Sequence, residues 1–245
     1  TIYKAVPPRE EYTRTYSSSD AGLSALMENF AKDHPGTYGV SMIELDGKKR
    51  RAEYNGDKQF VTASTYKLLV AYSLLKRIDS GARSWDSDQA CFNKMISLSD
   101  NACAESFLNA IGVSTLTSEA NAIGLKNSTF MKGGGPYTTA NDQALLLGMI
   151  ATGQNFSSAN QQRLLEAMKK NVFRKGIPAG VSGTVADKVG FMNGLLHDSA
   201  IVYGSHGTYV LSIMTDGASW EAIADLAKQL DALVARRVNC TVQMK

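Results

Sequence analysis

The sequence predicts an α+β protein in which one antiparallel sheet, fed by both ends of the chain and covered by helices (an α/β/α sandwich), adjoins an all-helical lobe. Three observations carry that prediction. Strand-like runs are confined to the region before residue 55 and to the stretch beyond Gly180. The segments between them read mostly as helices. One of these, Tyr66 to Ile78, is apolar nearly all round, as a helix buried on every side must be.

Residues 1–20 are polar, with Pro7-Pro8 and a Ser17-Ser18-Ser19 cluster, and read as an extended tether or linker. The chain does not begin with Met, so a removed export signal or anchor is the expectation, and with it an extracytoplasmic location. Ala21 to Asp33 has apolar residues at helical spacing (Leu23, Leu26, Met27, Phe30) and stops at His34-Pro35-Gly36. Tyr38 to Leu45 and Arg51 to Tyr54 form a hairpin around Asp46-Gly47. The basic run Lys48-Lys49-Arg50-Arg51 then reads as a solvated strand edge, where charge discourages edge-to-edge pairing. Polar-capped, mostly helical segments run from about Gln89 to Met168. Thr184 to Val189, Ser199 to Tyr203 and Thr208 to Met214 are short β-type runs bounded by turn residues. Ser219 to Arg236 closes the chain as an amphipathic helix with Ile223, Leu226, Leu230 and Leu233 on one face. With no repeat and no interior linker, residues 21–245 are expected as a single domain. Its α/β lobe would span about 21–63 and 180–245, its helical lobe about 64–179, with the site in the seam between them.

A chain of 245 residues can bury a sizeable core, and 44% hydrophobic against 20% charged residues excludes disordered and collagen-like classes. The net charge of +3 argues against nucleic acid, which would call for a concentrated basic face. No apolar run reaches the roughly 20 residues that span a bilayer. Cys91, Cys103 and Cys240 make no metal pattern. If two are oxidised, Cys91 and Cys103 are the better pair, and buried free thiols are an equal alternative. A monomer acting on a small molecule, without metal or cofactor, is expected.

Chemistry concentrates in three places. In Ser64-Thr65-Tyr66-Lys67 a hydroxyl and an amine lie one turn apart if the buried helix begins near Ser64. Burial and the helix N-terminus both disfavour the ammonium, which makes Lys67 a base for the serine. Alone, the pattern reads more readily as a helix cap with a surface lysine; its position at the head of the most apolar helix is what singles it out. Ser99-Asp100-Asn101, between two helical segments, offers a relay hydroxyl and a carboxamide, or simply an N-cap for the helix that follows. Lys188-Val189-Gly190 ends a strand. The lysine can hold a carboxylate, and the glycine lets backbone come close so that the Phe191 N–H can serve an oxyanion hole.

In this order, Ser-x-x-Lys, Ser-Asp-Asn and Lys-x-Gly resemble the motif set of class A β-lactamases and penicillin-binding proteins. FVTASTYKLLVAYSLL (60–75) looks like the family's active-site helix and Ser97 to Glu105 like its second motif; the resemblance extends from about Ala21 to Arg236. It implies Ser64 as nucleophile, Lys67 as its proton acceptor and Ser99 as relay to the leaving nitrogen. Asn101 would bind the substrate amide, Lys188 the substrate carboxylate, and the N–H groups of Ser64 and Phe191 would form the oxyanion hole. The substrate would be a β-lactam or a D-Ala-D-Ala peptide.

The chain departs from that pattern in places. The family's Ω-loop glutamate, which activates the deacylating water, has no match: no carboxylate occurs between Glu119 and Asp142, where Met131 to Tyr137 reads MKGGGPY. Glu166 belongs to a later amphipathic segment and is not assigned this role. Val189 replaces a hydroxyl residue, and Leu196, beside His197, replaces an arginine. The stretch from Ile123 to Leu147 looks closer to D-alanyl-D-alanine carboxypeptidases. The segment from Ser64 to Ser99 is shorter than in class A enzymes, which leaves one wall of the cleft open. Acylation machinery is therefore expected, with deacylation slow or absent. Three other readings fit the sequence less well. A Ser-His-Asp hydrolase lacks a G-x-S-x-G elbow. A metal site would have to use His197, Asp198 and His206. A non-catalytic binding module would not need the full motif set.

Overall fold

Asp20 starts the first helix, its carboxylate accepting hydrogen bonds from the Gly22 and Leu23 N–H groups at 3.0 and 2.9 Å. Helix α1 (Ala21–Asp33) then buries Leu23, Met27 and Phe30, one face at helical spacing. The computed structural model describes residues 19–47 and 49–242, with side chains as far as residue 236. The expected tether lies outside the described residues as far as residue 18. Its last two residues belong to the fold instead, Ser19 bridging Arg51 and Asp20 capping α1.

Strands β1 (Thr37–Glu44) and β2 (Arg51–Tyr54) pair antiparallel in the expected hairpin. The basic run beside it is only partly a solvated edge. Arg50 is largely buried and its Nε donates to Glu44 at 2.8 Å, with Asp20 also close by at 3.6 Å, while Lys48 lies outside the described residues. After β3 (Phe60–Val61) a single 3₁₀ turn, Ala63–Tyr66, leads into α2 (Lys67–Asp79). Every residue from Lys67 to Leu75 is buried, so α2 is the enclosed central helix that its all-round apolar sequence requires.

Around it pack α3 (Trp85–Ser97), α4 (Asn101–Ile111) and α5 (Val113–Ala122). A two-residue strand β4 (Tyr137–Thr138) pairs back onto β3. Next come α6 (Ala140–Thr152), α7 (Ser158–Lys169) and the short α8 (Ile177–Gly180). Cys91 and Cys103 form a disulfide with Cα atoms 5.2 Å apart, tying α3 to α4 across the turn that holds Ser99. The Cys240 side chain lies outside those described.

The last strands are β5 (Thr184–Met192), β6 (Leu195–Gly204) and β7 (Gly207–Asp216). The first two are longer than the sequence pattern predicts. Asn193 and Gly194, with φ of 48° and 87°, make a two-residue hairpin turn that lets pairing continue to Met192 and Leu195. The sheet runs β2-β1-β7-β6-β5, all antiparallel, with the last strand of the chain inserted at its centre beside the first. Alternation along the strands feeds two cores. Ala186, Ile201 and Val210 face the helical layer with Leu68, Phe92 and Leu146. Val185, Ala200 and Leu211 face the other way, onto α1 and α9 (Trp220–Val242), with Leu23, Ile223 and Leu230. No helix among the described residues is long and apolar enough to cross a membrane.

Candidate active site

The position of Ser64 is set from outside its own turn. His197 on β6 is fully buried, and its Nδ1 accepts from the Thr215 N–H at 3.1 Å. The proton is therefore on Nε2, which donates to the Val61 carbonyl at 2.8 Å. Burial holds the ring's pKa down, so it stays neutral. The Thr62 carbonyl accepts from both the N–H and the Oγ1 of Thr65, at 3.0 and 2.8 Å, closing the turn. Ala63 takes a left-handed φ of 45°, which costs a non-glycine residue about 1 kcal/mol or more. Ser64 follows, half-buried. Against this turn lies Gly190, where an added Cβ would sit 2.7 Å from the Thr62 carbonyl oxygen and 2.8 Å from the Ser64 nitrogen. Only glycine permits that approach, which brings the end of β5 to the serine.

Lys67 is excluded from solvent, and its ammonium donates to the Ser99 carbonyl at 2.6 Å, to Asn101 Oδ1 at 2.7 Å and to Ser99 Oγ at 3.3 Å. In a 3₁₀ turn residues three apart eclipse, so Ser64 and Lys67 share a side. The hydrogen bonds of the amine nevertheless go to Ser99 and Asn101 rather than to Ser64. Asp100 caps α4 by accepting from the Cys103 N–H at 2.8 Å, so the tripeptide serves both readings: Asp100 is the cap, while Ser99 and Asn101 face Lys67. Ser99 itself has a left-handed φ of 58°.

Lys188, also fully buried, reaches the same hydroxyl from the sheet, donating to Ser99 Oγ at 2.9 Å and to the Val189 carbonyl at 2.7 Å. One hydroxyl thus stands between two buried amines. Desolvation lowers the Lys67 pKa to about 8, against the opposing pull of Asp100 and Glu105. Desolvation and then the neighbouring Lys67 charge lower Lys188 to about 7. Such a site favours anions and holds an amine that is readily neutral.

The remaining residues fall as follows. Phe191 is about half exposed and its ring turns to Phe173 and Trp220. The Val189 side chain is buried. Leu196 packs against the core that faces α1 and α9, away from the two amines. Asp198 accepts from the Ile177 N–H at 2.8 Å, and His206 sits in the exposed β6–β7 turn at the far end of the strand from His197. His197, Asp198 and His206 therefore form no common centre, and no group of three or more His, Cys, Asp or Glu among the described residues could hold a metal ion. Of the acidic residues that flank the 120–141 segment, Asp142 is buried and accepts from Ser128 Oγ at 2.7 Å, and Glu119 pairs with Arg77 at 2.9 Å. Glu166 stands on an exposed face of α7, 3.2 Å from Lys169.

Two supports escaped the sequence reading. His197 acts across 136 positions of chain, with no local pattern to announce it. Arg174 and Asn171 both reach Asp187 at 2.6 Å, holding the strand segment that carries Lys188; the order of residues gives no hint of that either.

A model described as the beta-lactamase enzyme family matches residues 22–90 and 87–238. No curated protein sequence matches. Among solved structures, the chain is similar to PBP-A, with a TM-score of 0.83 at 21% identity, covering 91% of this chain and 100% of that one. It is similar to a PBP-A mutant in an acyl-enzyme complex with penicillin G, with a TM-score of 0.82 at 21% identity over 89% and 98% of the two chains. A variant of the class A β-lactamase of the last common ancestor of Gram-negative bacteria gives a TM-score of 0.80 at 24% identity, over 89% and 100%. At these identities the likeness shows the fold.

Proposed function

The chain belongs to the beta-lactamase enzyme family, and from that premise we propose a penicillin-recognising serine hydrolase that is acylated on Ser64 by β-lactams and releases the acyl group slowly. The observation that carries this reading is the Ser99 hydroxyl poised between two buried amines, 3.3 Å from Lys67 and 2.9 Å from Lys188. Neutral Lys67 takes the proton of Ser64, whose oxygen attacks the lactam carbonyl. The oxyanion forms against the N–H groups of Ser64 and Phe191, which the absent side chain of Gly190 allows to approach one another. The proton passes from Lys67 through Ser99 to the leaving nitrogen. Lys188, as ammonium, draws in the substrate carboxylate. Asn101, with its oxygen committed to Lys67, keeps its amide N–H groups for the substrate carbonyl.

Release is the weak half. Removing an oriented base typically slows its step by about 10²–10⁴-fold, and the segment 129–142 supplies no carboxylate to the cleft. That same feature favours a second reading, a D-alanyl-D-alanine carboxypeptidase using the same acylation set. The Cys91–Cys103 disulfide supports an extracytoplasmic location, where such bonds persist.

A fluorescent penicillin tests the proposal. Wild-type protein takes up covalent label and Ser64→Ala does not; unlabelled wild type would reject it. Product analysis with a chromogenic cephalosporin beside a D-Ala-D-Ala peptide separates the two activities.

A further inference from the structure

This inference rests on the acyl-enzyme reading above and concerns its second half. Hydrolysis of an ester on Ser64 needs a group that takes a proton from the attacking water. Asp100 is engaged in capping α4, Glu119 in pairing with Arg77, and Asp142 in holding Ser128. Asp187 and Asp198 point away from Lys188, into the far face of β5 and β6, where Arg174 and the Ile177 N–H meet them. Of the acidic residues that act on the two amines among the described residues, one is left.

Glu105 lies on α4 one turn beyond Asn101, whose Oδ1 is 2.7 Å from the Lys67 amine. Residues four apart on a helix are neighbours, with Cβ atoms about 5–6 Å apart. The buried face of α4 is made by Cys103, Ala104, Phe107 and Ile111, which leaves Asn101 and Glu105 together on its exposed side. No hydrogen bond engages the Glu105 carboxylate among the described residues. Its charge reaches both groups beside it: it opposes the burial that lowers the Lys67 pKa, and it adds to the burial that raises the Tyr66 hydroxyl.

We propose that Glu105, from helix α4, is the base that takes the proton of the deacylating water, in place of a carboxylate on the 129–142 segment. The water proton goes to the Glu105 carboxylate as the water oxygen bonds to the acyl carbon. The tetrahedral intermediate collapses with cleavage of the bond between the acyl carbon and Ser64 Oγ. The proton on Glu105 returns by way of Lys67 to the Ser64 oxygen, regenerating the free enzyme and one carboxylic acid. A long, solvated side chain is less well oriented than a buried base, which accords with slow release.

The test loads wild type, Glu105→Gln and Glu105→Asp with benzylpenicillin, removes free drug and follows adduct decay by intact mass between pH 5 and 9. Glu105→Gln is expected to become acylated and to hold its adduct about 10²-fold longer than wild type, with Glu105→Asp between. Wild type is expected to release its adduct faster than Glu105→Gln at every pH in that range. Lys67, Tyr66, Asp100 and Lys188 are the neighbouring charged and titratable groups. A purely electrostatic influence on Lys67 would instead move the pH dependence of acylation and leave adduct decay unchanged. That result, or equal adduct lifetimes, would overturn the role of Glu105 alone. Wild type that neither forms an adduct nor hydrolyses the drug would overturn the acylation reading and this inference together.

Discussion

Lys67 and Lys188 are both shut off from solvent and both donate to one hydroxyl, which is an expensive arrangement for two ammonium groups. The structure reduces the repulsion by lowering both pKa values, to about 8 and about 7, so that near neutrality the pair sheds a proton. A bound carboxylate draws the remaining proton to Lys188 and leaves Lys67 free to act. Below about pH 7 both amines are charged and no base remains; above about pH 8 both are neutral and the anion anchor is gone. Acylation of Ser64 is therefore expected to follow a bell centred near pH 7.5, measured as the labelling rate across pH 5.5–9.5. A rate that climbs steadily to the alkaline end would contradict it. Ser64, Lys67, Ser99 and Lys188 were legible because each belongs to a short motif with fixed spacing. Glu105 was not, since an exposed glutamate on a helix is the commonest of surface residues; only its place one turn from Asn101 sets it apart.

At the scale of elements, hydrophobic period alone recovers most of the fold. β1 and β7 are readable from their apolar runs, β2 from the hairpin around Asp46-Gly47, and α2 from its nearly all-round apolar sequence. Turn chemistry set the remaining limits: Asn193-Gly194 carries β5 and β6 beyond their hydrophobic runs, and Asp20 starts α1 inside what looked like a linker. The sequence leaves the disulfide open, because cysteine spacing does not say which helices lie side by side. It joins α3 to α4 on either side of Ser99, whose left-handed φ the intervening turn must hold. Its partners are 12 residues apart, a loop for which chain entropy gives about 3 kcal/mol. The Cys91→Ser/Cys103→Ser double variant should lose about that much stability in urea and label more slowly with fluorescent penicillin. Unchanged stability and labelling would mean that the bridge neither supports the fold nor holds the Ser99 turn.

For the molecule as a whole, the sandwich with its helical lobe could be read because strands came from both ends and helices from the middle. The strand order could not. β7 lies beside β1, with Gly39 opposite Met214, and periodicity carries no information about a pairing so distant in the chain. That closure brings the Ser64 turn, the Ser99 turn and the end of β5 together, although the chain visits them far apart. The most direct test is a time course of intact mass with benzylpenicillin, the adduct located by tandem mass spectrometry of its peptides. The account predicts one penicilloyl group per chain, on Ser64, formed faster than it is released. Penicilloic acid accumulating with Ser64 unmodified, or an adduct on another residue, would contradict it.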